Sequence, residues 1–124
     1  MKTAIIDIDF PSVFTKKQIE YIGQNVVESA REGCGDKLRD VILYGSYARG
    51  DFEEWSDVDV MVLADADAEE CKRINKEINE QLYDLIYRMN LLLSTMVIPY
   101  ERFERMKNNC PFYMNVSTEG VKLC

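Results

Sequence analysis

Two carboxylates set two residues apart, Asp57 and Asp59, are the chemically suggestive feature of this 124-residue chain. They enter a run of apolar, β-branched residues, Val58 to Leu63, that reads as a buried strand. Residues two apart on a strand face the same way, with Cα atoms roughly 6.5 Å apart. Asp57 and Asp59 can therefore aim at one point, provided that Asp57 already lies on the extended segment. An unpaired aspartate inside an apolar strand is costly to bury, so the pair suggests a cation or a satisfied polar site. Upstream, Val41 to Tyr44 reads as a second buried strand and ends at Gly45-Ser46, with Gly45 twelve residues before Asp57. Gly45 permits a tight turn or close approach of another molecule to the backbone. Ser46 adds a hydroxyl where Tyr47-Ala48-Arg49 can begin a helical turn, whose free N–H groups favour an anion. An anion cradle beside paired carboxylates suits a Mg²⁺-bound polyphosphate, with carboxylate and phosphate oxygens sharing a hard cation.

The order of these parts, Gly45-Ser46-Tyr47-Ala48-Arg49-Gly50 and then Ser56-Asp57-Val58-Asp59-Val60, resembles the nucleotidyltransferase signature of the DNA polymerase β superfamily. Within it the chain is most similar to the minimal nucleotidyltransferases of bacteria and archaea. The motif match covers Gly45 to Asp59, and a looser likeness extends through the following helix to Pro111-Phe112-Tyr113. The resemblance implies a polymerase β-like core of mixed α/β (α+β) class, a small mixed sheet flanked by helices. It implies an NTP, with ATP the leading choice, held at Gly45 and Ser46 with Arg49 and Ser56 beside them. Asp57 and Asp59 would be the catalytic pair and the ligands of Mg²⁺ (or Mn²⁺). The implied reaction moves a nucleoside monophosphate to an acceptor hydroxyl, which could belong to a partner protein. Such proteins are often paired with HEPN-type helical proteins as toxin–antitoxin systems. A catalytically weakened nucleotide-binding or antitoxin-like role is the alternative.

The elements that must carry the site can be read along the chain. Ile5, Ile6 and Ile8 suggest a short extended piece. Thr15 to Gln18 matches a capping box that opens a helix through about Arg31, with Ile19, Ile22, Val26 and Ala30 on its apolar face. Gly33 and Gly35 are expected to end it. Between the motifs, Asp51 to Trp55 reads as a solvated acidic loop anchored by Trp55. Arg49 there has two readings, a phosphate contact or a salt bridge within the loop. Residues 67 to about 89 form the longest helix, begun at Asp67 and striped with Ile74, Ile78, Leu82, Leu85 and Ile86. A strand over Leu91 to Ile98 follows, then a mixed-charge helix from Glu101 to Lys107 and a last short helix opened by Pro111.

Members of the family that catalyse usually carry a third carboxylate on a later strand. From Leu85 to Tyr100 this chain has no Asp or Glu. Alternation places Ser94 with Leu92, Met96 and Ile98 on one face, and Thr95 on the other. Either hydroxyl could hold a water, but neither carries the charge of a carboxylate.

Composition narrows the rest. The length suits one domain spanning residues 1–124, and 47% hydrophobic residues exclude wholesale disorder. No apolar run approaches a membrane span, and the acids within Met1 to Phe10 argue against a signal peptide. The net charge of −7 argues against general nucleic-acid binding. With no histidine, Ser-His-Asp, Cys-His and His-ligated zinc chemistry are all excluded. Four widely spaced cysteines read as ordinary thiols of a cytoplasmic protein.

Overall fold

A computed structural model describes residues 13–124. The extended piece expected at Ile5, Ile6 and Ile8 lies outside the described residues. Helix α1 (Lys16–Cys34) is followed by a single 3₁₀ turn and strand β1 (Leu38–Tyr44). Helix α2 (Ser46–Arg49), strand β2 (Val58–Ala64) and helix α3 (Ala68–Met89) come next. Strand β3 (Leu93–Pro99), helices α4 (Tyr100–Met106) and α5 (Pro111–Glu119), and the two-residue strand β4 (Val121–Lys122) complete the order. The sheet runs β3-β2-β1-β4. β1 is antiparallel to both β2 and β4, while β2 and β3 are parallel. This is the mixed α/β architecture expected from the sequence. Among the described residues no helix is long and apolar enough to cross a membrane.

Local chemistry explains the main boundaries. Thr15 caps α1 with a complete capping box: its Oγ1 accepts from the Gln18 N–H, and its own N–H donates to the Gln18 side chain. The helix runs past the expected Arg31 to Cys34. Gly33 stays helical, and its bare Cα passes close to Ile74 of α3, where an added Cβ would stand 3.2 Å from Cγ2. Gly35, with φ of 61°, ends the helix instead. Asp67 caps α3 by accepting from the Glu70 N–H at 2.8 Å. Asn90, in the left-handed region, turns the chain towards β3. That turn uses the Leu91 N–H for a bond to the Ile86 carbonyl, so β3 starts two residues later than the apolar run does. β1 begins earlier than its apolar run, because Leu38 and Asp40 already pair with β2 across an irregularity in register.

Strand alternation divides the core between two helical layers. Val41, Leu43, Val58, Val60 and Val62 join the buried stripes of α1 and α3. Ile42, Met61, Leu63 and Ile98 pack instead under Phe103 of α4 and Tyr113 and Val116 of α5. Thr95 faces α3, where its hydroxyl donates to Asn75 Oδ1 at 2.8 Å and accepts from Asn79 Nδ2 at 2.9 Å. A polar residue in β3 is thus satisfied within the larger layer. Burial pushes the Cys34 thiol up to about 11, which keeps it protonated at neutral pH.

Gly120 joins α5 to β4 where there is no room for a side chain. A Cβ would lie 2.5 Å from both Ile42 Cγ2 and the Val116 carbonyl oxygen. Gly120→Ala should therefore destabilise the fold by about 1–3 kcal/mol, the usual range for overpacking. Urea unfolding followed by circular dichroism checks this, and an unchanged midpoint would mean that α5 moves aside freely.

Candidate active site

The two motif strands end side by side. Their antiparallel register sets Tyr44 opposite Asp59, and the parallel register of β2 and β3 sets Asp59 beside Ser94. Asp59 therefore lies on the α4/α5 face of the sheet, between Tyr44 and Ser94. The chain leaves β1 through Gly45 with φ of 78°, a conformation open to glycine and strained for other residues. A Cβ on Gly45 would stand 2.3 Å from Asp59 Oδ2. The sequence suggested that Gly45 makes room for a turn or another molecule. In the fold, the group it first makes room for is the carboxylate of Asp59.

Ser46 opens α2, and the Ala48 and Arg49 N–H groups both bond to the Gly45 carbonyl. As at any helix start, the earlier N–H groups lack helical partners. α2 is pinned from behind by buried Tyr47, whose hydroxyl accepts from the Phe14 N–H at 3.0 Å. Phe52 stacks on the Tyr47 ring with centroids 4.4 Å apart. It is Phe52, not Trp55, that anchors the acidic loop. Trp55 is 51% exposed and sits at φ of 63°. Ser56 closes the same loop by accepting from the Glu53 N–H at 2.8 Å.

β2 pairing starts at Val58, whose N–H bonds to the Leu92 carbonyl, so Asp57 is exposed and stands just before the strand. It is near enough for its charge to act on Asp59. Burial is the main reason the Asp59 carboxyl lies above its usual range; the Asp57 charge adds to the lift, and the Arg49 charge opposes it. The Tyr44 phenol is pushed up to about 12, first by burial and then by the Asp59 charge. Arg49 bonds through Nε to Asp51 at 3.2 Å and through Nη1 to Glu119 of α5 at 3.4 Å. The salt-bridge reading of Arg49 holds in this state, with α5 as an additional partner.

Among the described residues no group of three or more His, Cys, Asp and Glu side chains is placed to hold a metal. The Asp57 and Asp59 pair still fits Mg²⁺, which takes one or two carboxylates and leaves its remaining positions to water and phosphate oxygens. The absence of a side chain at Gly45, which lets the Asp59 carboxylate reach the end of β1, agrees with that fit.

The chain has known relatives. Residues 27–121 match the nucleotidyltransferase domain family. The chain belongs to that family. A protein of Methanocaldococcus jannaschii named as a putative protein adenylyltransferase is 30% identical over 96 residues, covering 77% of this chain and 85% of its own length. A second protein so named from that organism is 30% identical over 83 residues, covering 67% of this chain and 56% of its own. Among solved structures, a toxin–antitoxin crystal structure with AMP-PNP superposes with a TM-score of 0.52 at 20% identity. It covers 82% of this chain and 72% of the other. A mutant of the toxin–antitoxin MntA-HpeT gives 0.51 at 18% identity with the same coverage, so both show likeness of fold.

The raised Asp59 carboxyl carries a sign that can be tested. The fold favours the neutral acid, so its stabilising contribution is complete below the unfolded value, about 3.9, and is lost as pH rises through the folded value. At neutral pH the ionised group costs stability. Asp59→Asn should therefore unfold at higher denaturant than the unaltered protein at pH 7 without divalent metal, with the gap closing towards pH 4. Equal midpoints at pH 7 would show that the carboxylate is already compensated.

Proposed function

We propose that this nucleotidyltransferase moves a nucleoside monophosphate from an NTP, ATP foremost, to a hydroxyl on a partner protein. The observation that carries this reading is the approach of the Asp59 carboxylate to the backbone at Gly45, beside the Ser46 helix start. The protein acceptor is supported by the names of the relatives and by charge. Arg105 pairs with Glu101 and Lys107 with Glu104, so two of the three basic residues in and just after α4 are matched by acids. A polyanionic acceptor finds little to neutralise it on a chain of net charge −7.

In this reading Asp57 and Asp59 would ligate Mg²⁺ (or Mn²⁺), which supplies charge for the phosphates and lowers the pKa of the attacking hydroxyl. Backbone N–H groups at Gly45 and Ser46 orient the triphosphate and take up charge as it develops. Ser56 contributes by holding the loop that delivers Asp57. Arg49 reaches a phosphate by exchanging one of its two carboxylate partners. The acceptor oxygen bonds to the α-phosphorus, the α–β bridging P–O bond breaks, and pyrophosphate leaves. The hydroxyl proton passes to solvent water, since β3 offers no carboxylate to receive it.

A second reading rests on Ser94. On β3, the later strand on which catalysing family members would be expected to carry a third carboxylate, uncharged Ser94 stands beside Asp59. That supports a weakened, nucleotide-binding partner of a HEPN-type toxin, in line with the toxin–antitoxin fold relatives. Labelled NTPs, Mg²⁺ and candidate partner proteins separate the two. The unaltered chain should transfer slowly, and Gly45→Val should abolish nucleotide binding while Glu77→Gln, on α3 away from the site, does not. Ser94→Asp should raise transfer about tenfold or more, a fraction of the ~10²–10³ supplied by a principal charge-stabilising group. Ser94→Asn, similar in size and uncharged, is the control, because Thr95→Asp would break the bonds to Asn75 and Asn79. Binding of nucleotide without transfer by any variant would favour the second reading.

A further inference from the structure

Beside Gly45, on the α5 side, lies a cleft of about 180 Å³ lined by Tyr44, Arg49, Phe112, Asn115 and Glu119, with Val116 also on its wall. It is continuous with the candidate site, because Gly45 borders both and Tyr44 is the register partner of Asp59. Pockets that take a whole drug-sized ligand start near about 300 Å³. This one is sized for a single ring system.

Its walls suit an uncharged planar ring. Phe112 is 41% exposed, yet it is braced edge-on to Tyr44 at 5.7 Å and tilted against Tyr113 at 5.5 Å. Asn115 follows three residues later, so it projects near Phe112 on the same helix face. Its carboxamide makes no hydrogen bond among the described residues and offers both donors and an acceptor. Among the described residues Arg49 is the only cation of the lining, and it is already shared by Asp51 and Glu119. With that one cation assigned to the triphosphate, the described lining has no second cation for a further phosphate.

We propose that this cleft receives the nucleobase of the bound NTP, with Phe112 as its stacking surface and Asn115 reading its edge. A carboxamide can accept from the adenine N6 amino group while donating to N7, which favours adenine over guanine. The proposal rests on the nucleotide-binding reading of the Gly45 site, and inorganic tripolyphosphate separates the two. It carries the phosphates without a base.

Calorimetry with Mg²⁺ and ATP, GTP or tripolyphosphate tests the assignment on the unaltered chain, Phe112→Ala and Asn115→Leu. The expected result is tighter ATP than GTP binding by the unaltered chain. Phe112→Ala should weaken ATP about five- to a hundredfold, the range of one base–aromatic stack, and leave tripolyphosphate unchanged. Asn115→Leu should bring ATP and GTP together. Equal losses for ATP and tripolyphosphate would overturn the proposal, as would full ATP affinity in both variants. Full ATP affinity with a raised KM for the acceptor would overturn it by giving the cleft to the acceptor. If the unaltered chain binds neither ATP nor tripolyphosphate, the nucleotide-binding reading itself fails, and the base assignment with it.

Discussion

The approach of one carboxylate to one stretch of backbone governs this structure. Asp59 leans on the bare Cα of Gly45 because the β1–β2 register puts Tyr44 opposite it. That register is held from behind by Val58, Val60 and Val62, whose burial fixes which side of β2 faces α1 and α3. A slip by one residue would turn Asp59 into that apolar layer. The hydrophobic pattern of the strand therefore aims the carboxylate, and the missing side chain at residue 45 lets it arrive.

The electrostatic consequence is an acidic group held in partial burial beside another acid, with a shared arginine as partial compensation. Such a site gains from any hard cation that brings its own anionic ligand, and a metal-bound triphosphate is of that kind. Arg49 is divided between the loop at Asp51 and the helix end at Glu119, so it ties three parts of the site wall together in one exposed network. Surface pairs of this sort are individually weak, which makes them easy to exchange when a stronger anion arrives.

Much of this was legible in the residues. The glycine and serine after β1, the aspartates around Val58 and the apolar stripes of α1 and α3 have local signatures that survive folding unchanged. The capping box at Thr15 and the proline opening α5 are equally local. What could not be read depends on partners distant in sequence. Gly33 looks like a helix end until Ile74 of α3 is seen against it. Trp55 looks like the anchor of its loop, yet Tyr47 lies where Phe52, rather than Trp55, can stack. Ser94 and Thr95 differ little as neighbours in a strand, and only the register shows that one borders Asp59 while the other is bonded to Asn75 and Asn79. The β4 edge strand is two residues long, too short for any periodic signal. Its pairing to β1 closes the wall that carries Phe112, Asn115 and Glu119.

The division of the core into unequal layers has a consequence for motion. Local opening of a protein begins where the least apolar surface must be exposed. The α1/α3 layer seals the sheet with two long helices, whereas the other face is covered by α4 and α5, each under three turns long. Amide protection will therefore be graded across the sheet, deep in β2 and α3 and shallow in α5. The wall beside Gly45 can breathe on its own while the strand that presents Asp59 stays rigid. A ligand entering beside Gly45 would then need only a sub-global fluctuation in one thin layer, not the opening of the whole fold.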